Sequence, residues 1–546
     1  MDVDQLLKRS RQDGPEDSTG NGNGESKKAR VDVGDTASQI EEYVDNAGEA
    51  DAPETYDEAF LKNLLVKFET AVSTNLEHRE KFANEPLKFY DSEYALVQVI
   101  NSLSLLSEQP DLYDALVNSG SLGTIVSLIG HDNEQICEKM VQVLIDLTDD
   151  DVDGDEVDLL QQELIKADMI AGLTELLYRV EDDNAFVEKV LTLFERLVDE
   201  GAERIISNQR AVQFLLKMLA NDQIRFQQSR QSAAYILCTV CQTESKLIGE
   251  LGSKAVETLL EQANALRSAK TLDFQTKEIA GSILDALAAI ARNVAGKQLF
   301  LDAEGVELML LLLEKSCNKW FKPRALRVLV AAVRGYAAGE ACQRVVNSGG
   351  LSKLIKTSGP APEELDSHLW IQLSLLRWLD LDSEERFRTI HKYNEKKVHD
   401  LVTLRSEKKA ALKNVTNRIS EERAALRAQM EEDELLKVTK EFEWDRDQSI
   451  FLETIQVVDA IFAWLMLSDL GDLAKSVIEK DEVLSTLRQQ LEDIRPNEND
   501  GSDGTTGQNS SQSYVEQEFQ KDTAAYAEML EALIAALGEA EQDPRN

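Results

Sequence analysis

The stretch LVNSGSLGTIVSLI, residues 116–129, and its echo LIKADMIAGLTELL, residues 164–177, decide how this chain is read. Each is an apolar pair, a polar or glycine break, and a short apolar helix. Weaker copies follow as IISNQRAVQFLLKML at 205–219, LIGELGSKAVETLL at 247–260, FLDAEGVELMLLLL at 300–313 and VVNSGGLSKLI at 345–355. The anchor positions Leu122, Ile170, Val212, Val256, Val306 and Leu351 stand 48, 42, 44, 50 and 45 residues apart. Each copy is followed by a polar turn and a longer apolar helix, as at 136–147, 187–198, 233–241 and 279–290.

A period of about 40–47 residues is that of armadillo and HEAT arrays. One unit of two or three helices cannot hide its apolar faces alone, whereas stacked units share a continuous core. The pattern predicts an all-α fold: an armadillo/HEAT-like right-handed superhelical solenoid with a helical C-terminal cap and a disordered N-terminal tail. Gly120, Gly252, Gly305 and Gly349 suit tight breaks between helices.

Outward from the repeats, residues 1–55 read as a disordered acidic tail rich in Asp, Glu, Gly, Asn and Ser. Two basic clusters interrupt it, Lys8, Arg9 and Arg11, then Lys27, Lys28 and Arg30. The second fits a Lys-Lys-x-Arg import signal, and the pair resembles a bipartite one; short basic clusters also arise by chance in solvated tails. Residues 56–110 read as an N-terminal helical cap, with Phe60, Leu61, Leu64, Leu65 and Phe68 on one stripe. The repeats occupy 111–356. Residues 357–495 form a C-terminal helical region, with Trp370 and Trp378 expected in its core. Within it, 393–447 reads as long, charged, coiled-coil-like helix, either a solvated hairpin or an RNA- or partner-facing surface. Residues 496–513 have the composition of a flexible linker. Residues 514–546 carry a last amphipathic helix, with Phe519, Tyr526, Met529, Leu530, Leu533 and Leu537 apolar. It is expected to dock on the C-terminal cap, the alternative being to pack on a partner.

Charge narrows the function. The chain has 59 basic and 100 acidic residues among 546, a net charge of −41. Such a surface repels bare nucleic acid and attracts basic chains. Direct DNA binding is not expected; RNA contact stays open. The five cysteines are scattered, which argues against a disulfide framework. No stretch reaches the roughly 18 consecutive apolar residues of a membrane span, so a soluble intracellular protein is expected. No phosphate loop, nucleophile elbow or HExxH pair occurs. Cys238 and Cys241 form a CxxC, but inside the apolar run AAYILCTVCQ, where buried core thiols are expected. His131 lies in a repeat turn, where Asp132 or Asn133 suits a helix cap. The reading is of a protein that is not an enzyme and needs no cofactor or metal.

Binding is what remains. The helix of the first repeat ends with Asp146, Asp149, Asp150 and Asp151; that of the second ends with Glu195, Asp199 and Glu200. Acid clusters at one phase of consecutive repeats would lie side by side and suit an extended basic peptide. The same residues also suit ordinary solvated helix ends in so acidic a chain.

The strings REKF at 79–82, PLKF at 86–89, SE at 92–93, QPDLY at 109–113, LIGHDN at 128–133 and LTD at 147–149 occur in that order. RALRVL at 324–329, RF at 386–387, KY at 392–393, Glu395 and KV at 397–398 continue the series. In motif order and spacing, residues 56–490 resemble the beta-catenin-like protein 1 family. The resemblance implies a nuclear, armadillo-like, non-enzymatic scaffold of the spliceosome that supports pre-mRNA splicing. It also implies association with the nineteen complex, through the basic localisation segment of that complex's Myb-domain subunit. Val330 stands where the family tends to carry an acidic residue. The alternative is a nuclear import adaptor of the importin-alpha type. That family uses Trp and Asn ladders, whereas the corresponding places here are Gln142, Asp146, Asp285 and Ala289, and all five tryptophans lie at 320 or later.

Overall fold

The computed structural model describes residues 56–149, 155–223, 227–243, 245–267, 271–356, 361–426, 450–495 and 514–539. The chain divides after Phe60, and the unit from Leu61 onward carries the repeats. Its helices are α1 (Glu58–Lys81), α2 (Tyr90–Leu103), α3 (Tyr113–Asn118), α4 (Leu122–Ser127), α5 (Glu134–Leu147), α6 (Asp155–Lys166), α7 (Met169–Arg179) and α8 (Asn184–Ser207). There follow α9 (Gln209–Leu219), α10 (Gln227–Thr243), α11 (Gly252–Arg267), α12 (Phe274–Arg292), α13 (Val294–Asp302), α14 (Gly305–Leu312), α15 (Phe321–Val333) and α16 (Gly339–Asn347). The last are α17 (Leu351–Leu354), α18 (Pro362–Trp378), α19 (Glu384–Ile390), α20 (Glu395–Leu426), α21 (Ile450–Met466), α22 (Gly471–Val477), α23 (Lys480–Ile494) and α24 (Tyr514–Glu539). No strand occurs among the described residues.

The repeating unit is two short helices and a long one, as in α3–α4–α5, α6–α7–α8 and α13–α14–α15. The long helices pack in succession: α2 on α5, then α8, α10, α12, α15, α18 and α21. This ladder is the spine of an all-α, armadillo-like solenoid. All six anchors are buried. Side chains start the helices where the sequence offers Asn or Asp. Asn133, Asp183, Asn208, Asp273 and Asn293 each accept a backbone N–H in the first turn of α5, α8, α9, α12 and α13.

The breaks follow a rule that glycine alone does not reveal. A left-handed residue stands two positions before the anchor in four repeats: Gly120, Asp168, Glu304 and Gly349, with φ of 83°, 63°, 59° and 76°. The expected role of Gly305 in the break is therefore taken by its neighbour. Gly305 is needed for a different reason: a β-carbon there would run into the ring of Phe300. Gly305→Ala is expected to destabilise by about 1–3 kcal/mol through overpacking. Gly123→Ala, on a helix with open space around it, is expected to stabilise by about 0.4–1 kcal/mol. Thermal unfolding of the two variants checks the contrast.

Three expectations change in detail. The second ladder helix does not end at Asp199 and Glu200; α8 continues to Ser207 and supplies the opening helix of the next repeat. Trp370 and Trp378 are half-buried rather than fully buried: each is capped on one face by an arginine instead of apolar side chains. Of the charged segment 393–447, α20 is helical over Glu395–Leu426, and 427–449 lie outside the described residues. Its stem buries Val398, Leu401, Leu404 and Arg405; from 406 to 424 no described side chain is buried. The last helix, α24, packs on α21, α23 and the 3-10 turn Ser245–Leu251.

Candidate functional site

Each ladder helix turns one polar stripe away from the core. On α5 it runs through Glu138, Gln142, Asp146 and, just past the end, Asp149; on α8 through Glu188, Thr192, Glu195 and Asp199. The stripes are joined side by side. Lys189 Nζ lies 2.5 Å from Glu138, and Arg196 Nη2 lies 3.6 Å from Asp149. Asp146 is partly engaged within the chain, accepting from Gln142 Nε2 at 2.9 Å and Ser104 Oγ at 3.2 Å. Asp199 and Glu200 are exposed. The structure thus brings Asp146, Asp149, Glu195 and Asp199 onto neighbouring stripes, with Glu200 beside them. Asp150 and Asp151 lie outside the described residues, as do Lys8, Arg9, Arg11, Lys27, Lys28 and Arg30.

Further along, the stripe changes character. On α10 it is Gln228, Gln231, Tyr235 and Thr239, neutral throughout. Gln275 Nε2 on α12 donates to Gln228 across the step. On α12 it is Glu278, Asp285 and Arg292. On α15 it becomes Arg324 and Arg327, with Arg334 just past the end, and Arg327 pairs with Asp285 at 3.2 Å. On α18 it is Asp366, Trp370 and Arg377. Arg324 lies 3.8 Å over the Trp320 ring and Arg334 3.8 Å over the Trp370 ring. Burial pushes the pKa of Arg334 and of Arg377 below the ordinary guanidinium value. The ladder therefore runs from acidic at α5–α8 to cationic and aromatic at α15–α18.

Sequence reasoning missed this second half. The string RALRVL at 324–329 read only as a family motif, and Trp370 and Trp378 read as buried. The nearest signal was the confinement of tryptophan to the C-terminal half.

Other singled-out residues are structural. Cys238 and Cys241 are free thiols buried in α10; burial pushes Cys238 up to about 12, far from a reactive thiolate. His131 is buried at a turn, its Nε2 3.1 Å from Asn75 Oδ1 and its Nδ1 accepting from Asn133 N. Asn133 caps α5, and Asp132 pairs with Arg79 at 2.5 Å. Burial holds His131 below its ordinary pKa, with the Arg79 charge adding to the effect. Among the described residues no helix alone is long and apolar enough to cross a membrane.

Residues 38–497 match a family described as catenin-beta-like, Arm-motif containing nuclear. Beta-catenin-like protein 1 homolog of Schizosaccharomyces pombe is 28% identical over 366 residues, 65% of this chain and 64% of its own. Human beta-catenin-like protein 1 is 28% identical over 369 residues, 62% of this chain and 63% of its own. The matched region thus spans just under two thirds of the length of these relatives. A solved engineered protein superposes over 85% of this chain and 99% of its own, with a TM-score of 0.49 and 18% identity.

Proposed function

The chain belongs to the catenin-beta-like family of Arm-motif-containing nuclear proteins, and on that premise we propose that it is a non-enzymatic nuclear scaffold whose acidic stripe holds basic segments of partner proteins. The partners proposed are spliceosomal proteins of the nineteen complex, above all its Myb-domain subunit through a basic localisation segment, and the process served is pre-mRNA splicing. The clusters Lys8, Arg9, Arg11 and Lys27, Lys28, Arg30 are proposed as the signal for its own nuclear entry.

One observation carries the reading: adjacent ladder helices α5 and α8 set carboxylates on neighbouring stripes. An extended chain laid across them meets a carboxylate at each step and offers Lys or Arg in return. Lys189 and Arg196 already occupy Glu138 and Asp149 in part, so the affinity expected is modest, in the micromolar range.

The test is a labelled Lys/Arg-rich localisation-type peptide titrated by fluorescence anisotropy at rising salt. Binding should weaken steeply as screening shortens the reach of the charges. Asp146→Asn with Asp199→Asn should weaken it about twofold to thirtyfold, since each ion pair near the surface contributes about 0.2–1 kcal/mol. Glu421→Gln with Glu422→Gln removes the same charge from α20 and should change little. Equal effects from the two double variants would reduce the binding to general acidity, and salt-insensitive binding would sink the carboxylate trough.

A further inference from the structure

The last helix, α24, lies beyond the family match, which ends at residue 497. It is joined to the rest through 496–513, 18 residues by count. Its apolar seam buries Ala527, Met529, Leu530, Leu533 and Leu537. The middle of the helix does something else. Asp522 and Tyr526, one turn apart, enter a cavity of about 260 Å³ walled by Arg334, Trp370, Ser374, Arg377 and Ile494. This is the cationic end of the ladder stripe.

The contacts there are specific in kind but loose in fit. The Arg377 guanidinium lies 5.4 Å over the Tyr526 ring, and the Trp370 and Tyr526 rings are 6.3 Å apart. Gln490 Nε2 donates to the Tyr526 hydroxyl at 3.2 Å. Trp370 Nε1 donates to Glu453 at 2.8 Å, which fixes the indole that supports Arg334. Yet Arg377 Nη1 and Asp522 Oδ1 stay 3.7 Å apart. Among the described residues, Arg377 Nη2 and Asp522 Oδ1 are buried without a hydrogen-bond partner. A buried guanidinium facing a carboxylate that does not close on it leaves interaction energy unused. A helix that sets its carboxylate slightly nearer would fill the pocket better than α24 does.

We propose that the pocket of Arg334, Trp370 and Arg377 is a docking site for an acidic–aromatic amphipathic helix of a partner protein, and that α24 is its displaceable occupant within the same chain. The spacing read from α24 is a carboxylate, an aromatic four residues on, and Leu at four, seven and eleven beyond that, as in Asp522, Tyr526, Leu530, Leu533 and Leu537. The apolar residues form the seam and the first two select the pocket. Such a ligand has the opposite charge to the basic segment proposed for α5–α8, so the two sites do not compete.

Tethering gives α24 an effective concentration of roughly millimolar, which a free helix must overcome. The test uses the full-length chain and a fluorescent peptide with the sequence of residues 514–539. The wild-type chain should bind it weakly. Asp522→Ala with Tyr526→Ala should release the tethered helix and tighten peptide binding at least tenfold. Hydrogen exchange across α24 should quicken in parallel. Adding Arg334→Ala and Arg377→Ala should abolish the gain, and a peptide carrying the two alanines itself should not bind. If the arginine variants fail to fold, Arg377→Glu in the chain paired with Asp522→Lys in the peptide supplies the same test by charge reversal. Equal peptide binding by wild type and the released variant would overturn the proposal, as would binding that ignores the arginines. A dimer seen by light scattering that vanishes with Tyr526→Ala would instead make a second copy the occupant and reject the partner helix.

Discussion

Asp459→Ala is expected to lower stability by about 3–5 kcal/mol, because it removes the buried partner of a buried guanidinium and leaves it only the half-exposed Glu482. Arg405 on α20 is 4% exposed and Asp459 on α21 is 0% exposed. Arg405 Nε lies 2.5 Å from Oδ1 and Nη2 2.9 Å from Oδ2, a two-pronged pairing of planar groups. Burial works against the charged Arg405, but the hydrogen bonds and charge of Asp459 outweigh it and hold the guanidinium above its ordinary pKa. Glu482 and Lys409 extend the pair to the surface at 2.7 and 3.0 Å. Glu482 is half exposed, so Glu482→Gln should change stability by no more than about 1 kcal/mol. Arg405→Met combined with Asp459→Leu should recover most of the loss, since neither charge is then left alone. Urea unfolding followed by tryptophan emission measures all three, because Trp464 lies on the same helix as Asp459. A loss below about 1 kcal/mol for Asp459→Ala would mean that water reaches the pair.

Phe194→Ala is expected to remove about 3–5 kcal/mol, by lost burial and the cavity left behind. Phe194 is wholly buried in α8, which packs on both α5 and α10. The location of the damage is as informative as its size. In a stack where each unit touches mainly its neighbours, a defect acts locally. Every tryptophan lies at 320 or later, so tryptophan emission reports on the C-terminal half, and circular dichroism on every helix. The dichroism transition should begin at lower urea, while the emission midpoint moves much less. Coincident shifts would show that the chain unfolds all at once.

These two sites also mark what could be read in advance. Phe194 falls on a stripe whose spacing is visible in the string itself, and the repeat anchors were legible for the same reason: helical period and repeat period are both local. Caps were legible at Asn133 because Asn before an apolar run has a single common use there. Arg405 and Asp459 stand 54 residues apart, and nothing in either neighbourhood marks them as partners. The left-handed turns at Asp168 and Glu304 were not legible, since Glu rarely adopts that backbone and Asp adopts it only occasionally. The acidic stripe was half legible: α5 and α8 were found in phase, but the cations Lys189 and Arg196 that bridge them belong to the folded register. The arginine–tryptophan end was invisible, since it requires α15, α18 and α24 to meet.

The bare stretch of α20 has a geometric meaning. Beyond Arg405 the helix continues to Leu426, and at 1.5 Å per residue those 21 steps make a rod of about 30 Å. Among the described residues its buried contacts all lie at the root, so the helix projects as a spar, and the charge pair at 405 and 459 is the bolt that sets its angle.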